Sequence, residues 1–256
     1  MSRPKRRSVR ADVRPLEEAR IERADPALCA RLFAGGVLRW RRSIPRVAPL
    51  AVAGLFERDL DRSPSAGPRV VLDPCCGNGV VLAVLQVAYP GLVRELHGAD
   101  ADPAALRFTE SNLAILNDRD TLRERIVTLE GRRDATGNPR FDAAIADARC
   151  LEELDWSGRP TVAVSRIDAL ADPWPASGVD LVLADPPYGR RSGWLGSDID
   201  GDEGLVRFLQ RARDAIAADG AVGLFLDPAV RLPEVEGLRV VDRVALERRA
   251  GWLLAR

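Results

Sequence analysis

Residues 69–79 read Arg-Val-Val-Leu-Asp-Pro-Cys-Cys-Gly-Asn-Gly, and this stretch decides the fold. A short apolar run ends in an acid, and a Gly-x-Gly loop then leads at once into the apolar helical pattern of residues 80–87. This order predicts a strand over 69–72, a tight turn and a helix. Gly77 and Gly79 allow backbone conformations closed to other residues and a close approach by a ligand. An ordinary strand-to-helix turn is the alternative, because a lone Gly-x-Gly is a weak motif.

Apolar runs and helical patterns continue to alternate along the chain, as an open α/β sheet requires. Residues 118–158 interrupt the alternation and are predicted to form an inserted hairpin of two charged helices. The last two strands are predicted to form an antiparallel hairpin. Further strands are predicted at 96–99, 161–167, 179–184, 221–226, 239–245 and 249–254. The predicted fold class is therefore α/β, with a Rossmann-like sheet of seven strands that is mostly parallel and has an antiparallel C-terminal strand.

The charges are unevenly distributed, although the formal net charge of the 256 residues is zero. Residues 1–46 carry 13 Arg or Lys against 5 acids. A cationic arm suggests an anionic partner such as RNA phosphates, and a solvated, disordered tail is the alternative for residues 1–15. We expect residues 1–62 to form a basic N-terminal extension with lead-in helices, and residues 63–256 to form the sheet domain.

Composition narrows the class of protein. No run of about 18 apolar residues is present, and the basic N-terminus is not followed by an apolar segment, so we expect neither a membrane partner nor a secretory signal. The four cysteines, Cys29, Cys75, Cys76 and Cys150, show no metal or disulfide spacing. We therefore expect a soluble cytoplasmic protein without a metal site. The sequence carries no sign of oligomeric state.

An aromatic residue among arginines stands out in the basic region. Residues 35–42 read Gly-Gly-Val-Leu-Arg-Trp-Arg-Arg and are predicted to form a short strand or hairpin edge. Trp40 suits stacking on an unpaired RNA base. It equally suits covering the flank of the domain.

Four acids each follow a predicted strand, so all four should line the same edge of the sheet: Asp73, Asp100, Asp168 and Asp185. Asp100 lies 21 residues after Gly79, close to the spacing at which an acid meets a ribose in such folds. A dinucleotide site would want a third glycine near position 82, where this chain has leucine. This pattern favours a mononucleoside-like ligand such as S-adenosylmethionine.

Two motifs resemble a known family. Residues 73–79 resemble the first motif of class I S-adenosylmethionine-dependent methyltransferases, and Asp-Pro-Pro-Tyr at 185–188 resembles the fourth motif of their amino-methylating members. The order and spacing of features over residues 32–226 resemble the avilamycin-resistance 23S rRNA guanine methyltransferase family. The resemblance implies S-adenosylmethionine as cofactor and ribosomal RNA as partner.

The resemblance also assigns roles to residues of the cofactor site. Asp73 and the backbone of residues 77–79 would hold the methionine portion, Asp100 the ribose hydroxyls, and Asp168 the adenine amino group. A helix cap is the alternative role for Asp100, although Asp102 is better placed for it. The expected cofactor-binding residues are Asp73, Pro74, Cys75, Gly77, Gly79, Asp100, Ala101, Asp168 and Ala169.

The fourth motif would carry the chemistry. The resemblance implies that Asp185 and the carbonyl of Pro186 accept hydrogen bonds from the target nitrogen, and that Tyr188 stacks on the flipped base. A Pro-Pro turn ending a strand is the alternative interpretation. The expected catalytic residues are Asp185, Pro186, Pro187 and Tyr188. The residues expected to contact RNA are Arg39, Trp40, Arg41, Arg42, Arg190 and Trp194, although a solvated loop is an alternative beyond residue 189.

Three functions follow from these patterns. The first is methylation of a guanine base nitrogen of 23S rRNA, for which the resemblance suggests resistance to a ribosome-targeting, orthosomycin-type antibiotic. The second is methylation of 16S rRNA guanine or of DNA adenine, because enzymes of those kinds share the Asp-Pro-Pro-Tyr sequence. The third, a silent binding protein, is disfavoured by the presence of both motifs.

Overall fold

The computed structural model describes residues 14–15, 26–41, 47–63, 67–187, 194–195, 199, 201–246 and 249–256. The helices are α1 (Pro26–Ala34), α2 (Pro49–Arg62), α3 (Val80–Ala88), α4 (Pro103–Asn117), α5 (Arg119–Thr136), α6 (Arg140–Glu153) and α7 (Gly201–Ala215). The strands are β1 (Arg14–Pro15), β2 (Arg69–Asp73), β3 (Val93–Asp100), β4 (Thr161–Arg166), β5 (Val179–Ala184), β6 (Ile216–Leu226), β7 (Arg239–Leu246) and β8 (Arg249–Ala255).

The described strands form one sheet in the order β1-β7-β8-β6-β5-β2-β3-β4. Strands β2 to β8 are the seven predicted from the sequence, and the two-residue β1 adds a short parallel pairing to β7. β8 alone runs against its neighbours β6 and β7. The prediction of a mostly parallel, Rossmann-like sheet with an antiparallel C-terminal strand is therefore confirmed.

Alternate residues of the central strands supply the two faces of the sheet, because side chains alternate along a strand. Val71 of β2 packs in a core that includes helices α1 to α6, whereas its neighbours Val70 and Leu72 pack in a second core with α7. In β5, Leu181 and Val182 divide in the same way. Both faces of the sheet are therefore covered, and ligands are expected at the carboxyl ends of its parallel strands.

Helices α5 and α6 occupy the interruption predicted at residues 118–158. Asp118 caps α5 by accepting from the backbone N–H groups of Asp120 and Thr121, and Gly137 ends it with a left-handed φ of 61°. The outward arginines of this hairpin pair with its own acids: Arg123 with Glu152 at 2.6 Å, and Arg149 with Glu130 at 2.7 Å. This pairing gives the hairpin a charge-balanced, solvated outer face.

Residues 35–41 do not form the predicted strand. The chain instead caps α1: Gly36 takes a left-handed φ of 77°, and the N–H of Leu38 donates to the carbonyl oxygen of Leu32 at 3.0 Å. A left-handed glycine shortly after the last helical residue is a common way for a helix to end. Over residues 35–41 the prediction of a strand or hairpin edge was wrong, because the glycine pair ends a helix here and does not start a hairpin.

The lead-in helices pack on the sheet domain. Phe56 of α2 is fully buried and meets the ring of Tyr89 edge-on, with ring centroids 4.7 Å apart. Leu32 and Cys29 of α1 join the same core. Among the described residues, no helix is both long and apolar enough to cross a membrane.

Candidate active site

The Gly-x-Gly loop follows β2 and is held in a left-handed conformation. Gly77 and Gly79 have φ of 53° and 75°, values that favour glycine. A Cβ on Gly79 would lie 3.0 Å from the side chain of Thr109, whose hydroxyl donates to the carbonyl oxygen of Gly77 at 2.7 Å. Both glycines are therefore required by the geometry, and the N–H of Gly79 closes the turn by donating to the carbonyl oxygen of Cys76 at 2.7 Å in front of α3.

Asp100, at the end of β3, fixes this loop from the neighbouring strand. Its Oδ2 accepts from the N–H of Gly77 at 2.8 Å, and its Oδ1 accepts from the N–H of Asp102 at 2.9 Å. The backbone N–H of Ala101 also hydrogen-bonds to this carboxylate. A carboxylate has about four acceptor positions, so Asp100 keeps capacity for a ribose hydroxyl. Asp102 caps α4 through the N–H of Ala104 at 2.7 Å, so the cap that Asp100 might have provided belongs to its neighbour.

Asp73 is the last residue of β2 and contacts the start of the Gly-x-Gly loop. It is 2% exposed, and its Oδ1 accepts from the N–H of Cys75 at 3.1 Å. Burial raises its pKa well above the usual range, and the carboxylates of Asp100 and Asp185 raise it further. A buried cluster of carboxylates fits a ligand that brings positive charge, such as the sulfonium and ammonium groups of S-adenosylmethionine.

Asp168 follows β4, the next strand of the same edge. Its Oδ1 accepts from the N–H of Leu170 at 2.8 Å, while its carbonyl oxygen begins a turn by accepting from Asp172 N at 2.9 Å. The adjacent Ala169 is buried, and its carbonyl accepts from the indole of Trp174. The residues expected to bind the cofactor therefore lie at the carboxyl ends of three adjacent strands, β2, β3 and β4. Pro74, next to Asp73, is buried, and Ala101, next to Asp100, is half-buried.

Asp185 ends β5 on the other side of β2. Its Oδ2 accepts from a guanidinium nitrogen of Arg249 at 2.9 Å, and the two side chains are 14% and 15% exposed. Its Oδ1 is buried, and no described residue hydrogen-bonds to it. Burial raises the pKa of Asp185 to about 7, although the charge of Arg249 acts in the opposite direction. The site therefore contains a buried acceptor atom that receives no hydrogen bond from the described residues.

The two prolines after Asp185 have no N–H to donate. Pro186 is buried and Pro187 half-buried, and neither belongs to a strand or helix. Tyr188, which the sequence assigns to base stacking, lies outside the described residues.

Arg249 is a site residue that motif reasoning missed. It opens β8, and the register pairs its neighbour Ala250 with Leu226 at the end of β6. Because β8 is antiparallel, its first residue lies at the edge where the parallel strands end. The predicted C-terminal hairpin contained this signal, since an arginine that starts a reversed strand is delivered to the acid-lined edge.

A segment before the sheet domain is clamped to the Gly-x-Gly loop. Asn78, between the two glycines, accepts from the N–H of Arg41 at 3.0 Å, and its carbonyl accepts from the amide of Asn112 at 3.0 Å. The guanidinium of Arg41 lies 3.1 Å from Asp102. Arg39 is exposed beside this contact. Two of the arginines expected to contact RNA therefore flank the cofactor edge.

The two tryptophans expected at the RNA are engaged in packing. Trp40 is half-buried and stacks on Phe33 with centroids 6.0 Å apart and planes 7° apart, as a residue covering the flank would. Trp194 is 7% exposed and packs against Phe208 and the backbone of Gly204. Neither ring is presented to a base in this arrangement. Two other expected RNA contacts, Arg42 and Arg190, lie outside the described residues.

Comparison of the sequence with known proteins finds both a matching family and a similar characterised protein. The family described as rRNA methyltransferase AviRa matches residues 46–249. The chain is 32% identical over 245 residues to a 23S rRNA (guanine(2535)-N(1))-methyltransferase of Streptomyces viridochromogenes, with 91% of this chain and 93% of that protein covered.

Solved structures agree with the sequence match. The chain is similar to the rRNA methyltransferase AviRa of Streptomyces viridochromogenes in its 1.5 Å structure, with a TM-score of 0.77, 26% identity, and 94% of this chain and 96% of that chain covered. A likeness in fold alone extends to TrmN of Thermus thermophilus, with a TM-score of 0.51, 21% identity, and 89% of this chain and 53% of that chain covered.

Proposed function

The chain belongs to the AviRa family of rRNA methyltransferases, and on that premise we propose that it transfers a methyl group from S-adenosylmethionine to N1 of a guanine in 23S rRNA. The curated relative modifies N1 of a 23S rRNA guanine. The alternatives, 16S rRNA guanine and DNA adenine, are not favoured by the comparisons.

The observation that carries this proposal is Oδ1 of Asp185, to which no described residue donates a hydrogen bond. Guanine N1 bears a proton at neutral pH, so its lone pair becomes available only as that proton leaves. A buried carboxylate whose Oδ1 meets no described donor, and whose pKa is raised to about 7, is suited to take it. When bound, S-adenosylmethionine supplies an electrophilic methyl group on a positively charged sulfonium.

In the proposed transfer, Oδ1 of Asp185 would accept the N1 proton while the nitrogen takes the methyl group. The bond from the methyl group to sulfur would break, which would leave the sulfur as a neutral thioether. Asp185 then returns this proton to solvent before the next turnover. Pro186 and Pro187 stiffen the loop that holds the carboxylate, and positioning of this kind accounts for much of the rate of such transfers.

The cofactor contacts are proposals of the same kind. Asp73 and residues 77–79 would bind the methionine portion, Asp100 the ribose hydroxyls, and Asp168 the adenine amino group. Their common position at the carboxyl ends of adjacent strands, the left-handed glycines of the loop and the acceptor capacity left on Asp100 support these assignments. Tyr188 remains the proposed stacking residue for the flipped base.

The placement of the arm supports RNA binding. We divide the chain into residues 1–62, a basic extension with lead-in helices, and residues 63–256, the methyltransferase domain. Arg39 and Arg41 flank the cofactor edge and would contact phosphates of the target strand. A ribosomal substrate also implies action in the cytoplasm, and modification of 23S rRNA would give resistance to an orthosomycin-type antibiotic.

The test is methylation with radiolabelled S-adenosylmethionine of four separate substrates: naked 23S rRNA, 50S subunits, 30S subunits and adenine-containing DNA. We expect label in 23S rRNA, free or within 50S, and a reverse-transcription stop at one guanine, because a methyl at N1 blocks the pairing edge. Asp185→Asn should bind cofactor and transfer at least about 100-fold more slowly. Label only in 30S or DNA would overturn the proposal.

A further inference from the structure

We propose that Arg249 is a positioning residue for the transfer: by holding Oδ2 of Asp185, it makes Oδ1 the single atom of that carboxylate that receives the substrate proton. This inference rests on the proposed function of Asp185, which is a separate claim. It concerns a residue of the C-terminal hairpin that lies 64 positions after Asp185 in the sequence.

The geometry supports a dedicated contact. β8 is separated from β5 by β6 in the sheet, so the arginine must reach across about 10 Å, two strand spacings. Arg249 is delivered to the carboxyl edge only because β8 runs antiparallel to β6. A nitrogen–oxygen distance of 2.9 Å between side chains that are 15% and 14% exposed shows that the pair is largely removed from water.

The asymmetry of the carboxylate carries the inference. A free carboxylate rotates and offers either oxygen to a donor, so the atom that receives the transferred proton would not be defined. With Oδ2 occupied by Arg249, the carboxylate plane is fixed and only Oδ1 is left without a described donor. Fixing one acceptor in this way lowers the reorganisation needed during the reaction.

The charge of Arg249 supplies a second effect. Burial raises the pKa of Asp185, and Arg249 is the charge that lowers it. The other titratable groups affected by Asp185 are Asp73 and Cys75 in the Gly-x-Gly loop, whose pKa values are already raised by burial. A negative charge on either group would oppose ionisation of Asp185, whereas the positive charge of Arg249 favours it and so helps to keep Asp185 available as a base near neutral pH.

The experiment compares Arg249→Gln with the wild type over pH 6 to 9. An arginine beside an aspartate lowers its pKa by ~1–3 units. We therefore expect the acid limb of the rate profile to move upward by at least about one pH unit, so that the rate falls about 10-fold or more at pH 7 and recovers toward pH 9. Arg249→Lys, which retains the charge, should move the limb less.

Arg58→Gln is the matched control. Arg58 of α2 contacts Asp242 of β7 at 2.7 Å, and the two side chains are 12% and 25% exposed. The substitution therefore removes a similar ion pair on the same C-terminal hairpin, away from the carboxyl ends of the parallel strands. It should lower stability and leave the acid limb in place. A uniform loss of rate in Arg249→Gln, with an unmoved limb, would mean that Arg249 only supports the fold and would overturn the inference.

Two further measurements separate this inference from the proposed function. Carbon-13 NMR of labelled aspartate, with the Asp185 signal assigned from Asp185→Asn, follows titration of Asp185 without RNA or cofactor. We expect that signal to titrate at higher pH in Arg249→Gln, and an unchanged titration would contradict the inference even if 23S rRNA is the substrate. In the Asp185→Asn background, Arg249→Gln should add little further loss of rate. If the wild type labels no rRNA while the NMR shift is present, the proposed function fails and the positioning contact stands.

Discussion

The side chain of Asn112 holds the backbone of Arg39 from both sides. Its Oδ1 accepts from the N–H of Arg39 at 2.7 Å, and its Nδ2 donates to the carbonyl oxygen of Arg39 at 2.8 Å. The same Nδ2 also donates to the carbonyl of Asn78 in the Gly-x-Gly loop. One buried side chain of α4 therefore joins the basic arm to the cofactor edge.

Loss of this clamp should weaken two functions at once. Asn112→Asp keeps the shape and the acceptor but loses the donor, so a carboxylate would face two carbonyl oxygens at a site that is 1% exposed. We expect a loss of about 1–3 kcal/mol in the free energy of unfolding and several-fold weaker binding of both S-adenosylmethionine and RNA. Thermal unfolding and isothermal titration calorimetry measure these effects. Unchanged affinity for both ligands would show that the clamp supports only the fold.

Arg39 should contribute to RNA affinity through charge. Its side chain is exposed, and Asn112 holds its backbone beside the Gly-x-Gly loop. Arg39→Gln should therefore weaken binding of 23S rRNA several-fold and reduce the slope of log affinity against log salt concentration by about one. Filter binding at 50 to 300 mM salt would measure this slope.

Arg123 on the helical hairpin is the control for Arg39. It is also exposed, but it is paired with Glu152 and Asp120. Arg123→Gln should leave the salt slope unchanged if the hairpin is a solvated face. A reduced slope in Arg123→Gln, with none in Arg39→Gln, would move the RNA-binding surface to the hairpin.

Local pattern was enough to predict the acid-lined edge. Strands of alternating or continuous apolar residues end in acids, and the carboxyl ends of parallel strands must share an edge. Asp73, Asp100 and Asp185 were therefore placed correctly without knowledge of any contact. The left-handed glycines of the loop follow from the same stretch of sequence.

Contacts between distant segments had no such signal. Asn112 is one polar residue on a mostly apolar helix, and nothing in its neighbourhood indicates a partner 73 positions away. Trp40 looked available because arginines surround it in sequence, yet its ring lies on Phe33, which belongs to the preceding helix. Packing decides how such side chains are oriented, and this orientation cannot be read from the order of residues in the sequence.

Cofactor affinity should depend on pH. Burial raises the pKa of both Asp73 and Asp100, so these carboxyls take up protons at a higher pH than exposed carboxyls do. A positively charged ligand favours the ionised forms, and its binding must therefore release protons. We expect the affinity for S-adenosylmethionine to fall as pH drops, by up to about tenfold per pH unit. Calorimetry in buffers of different ionisation enthalpy counts the released protons, and an absence of proton release as the pH is lowered would contradict this prediction.

Asp73 should also reduce stability while serving the cofactor. A carboxyl whose folded pKa is raised favours the unfolded state once pH exceeds its unfolded pKa of about 3.9, and this penalty grows until pH passes the folded pKa. Asp73→Asn keeps an oxygen that can accept from the N–H of Cys75 but removes the charge. Its melting temperature should therefore match the wild type near pH 4 and exceed it at pH 8, by about 2–4 °C for each kcal/mol gained. Cofactor affinity should fall in the same variant. Asp219→Asn, at an exposed position, should show no such pH-dependent gain, and equal melting temperatures of Asp73→Asn and wild type at pH 8 would refute the penalty.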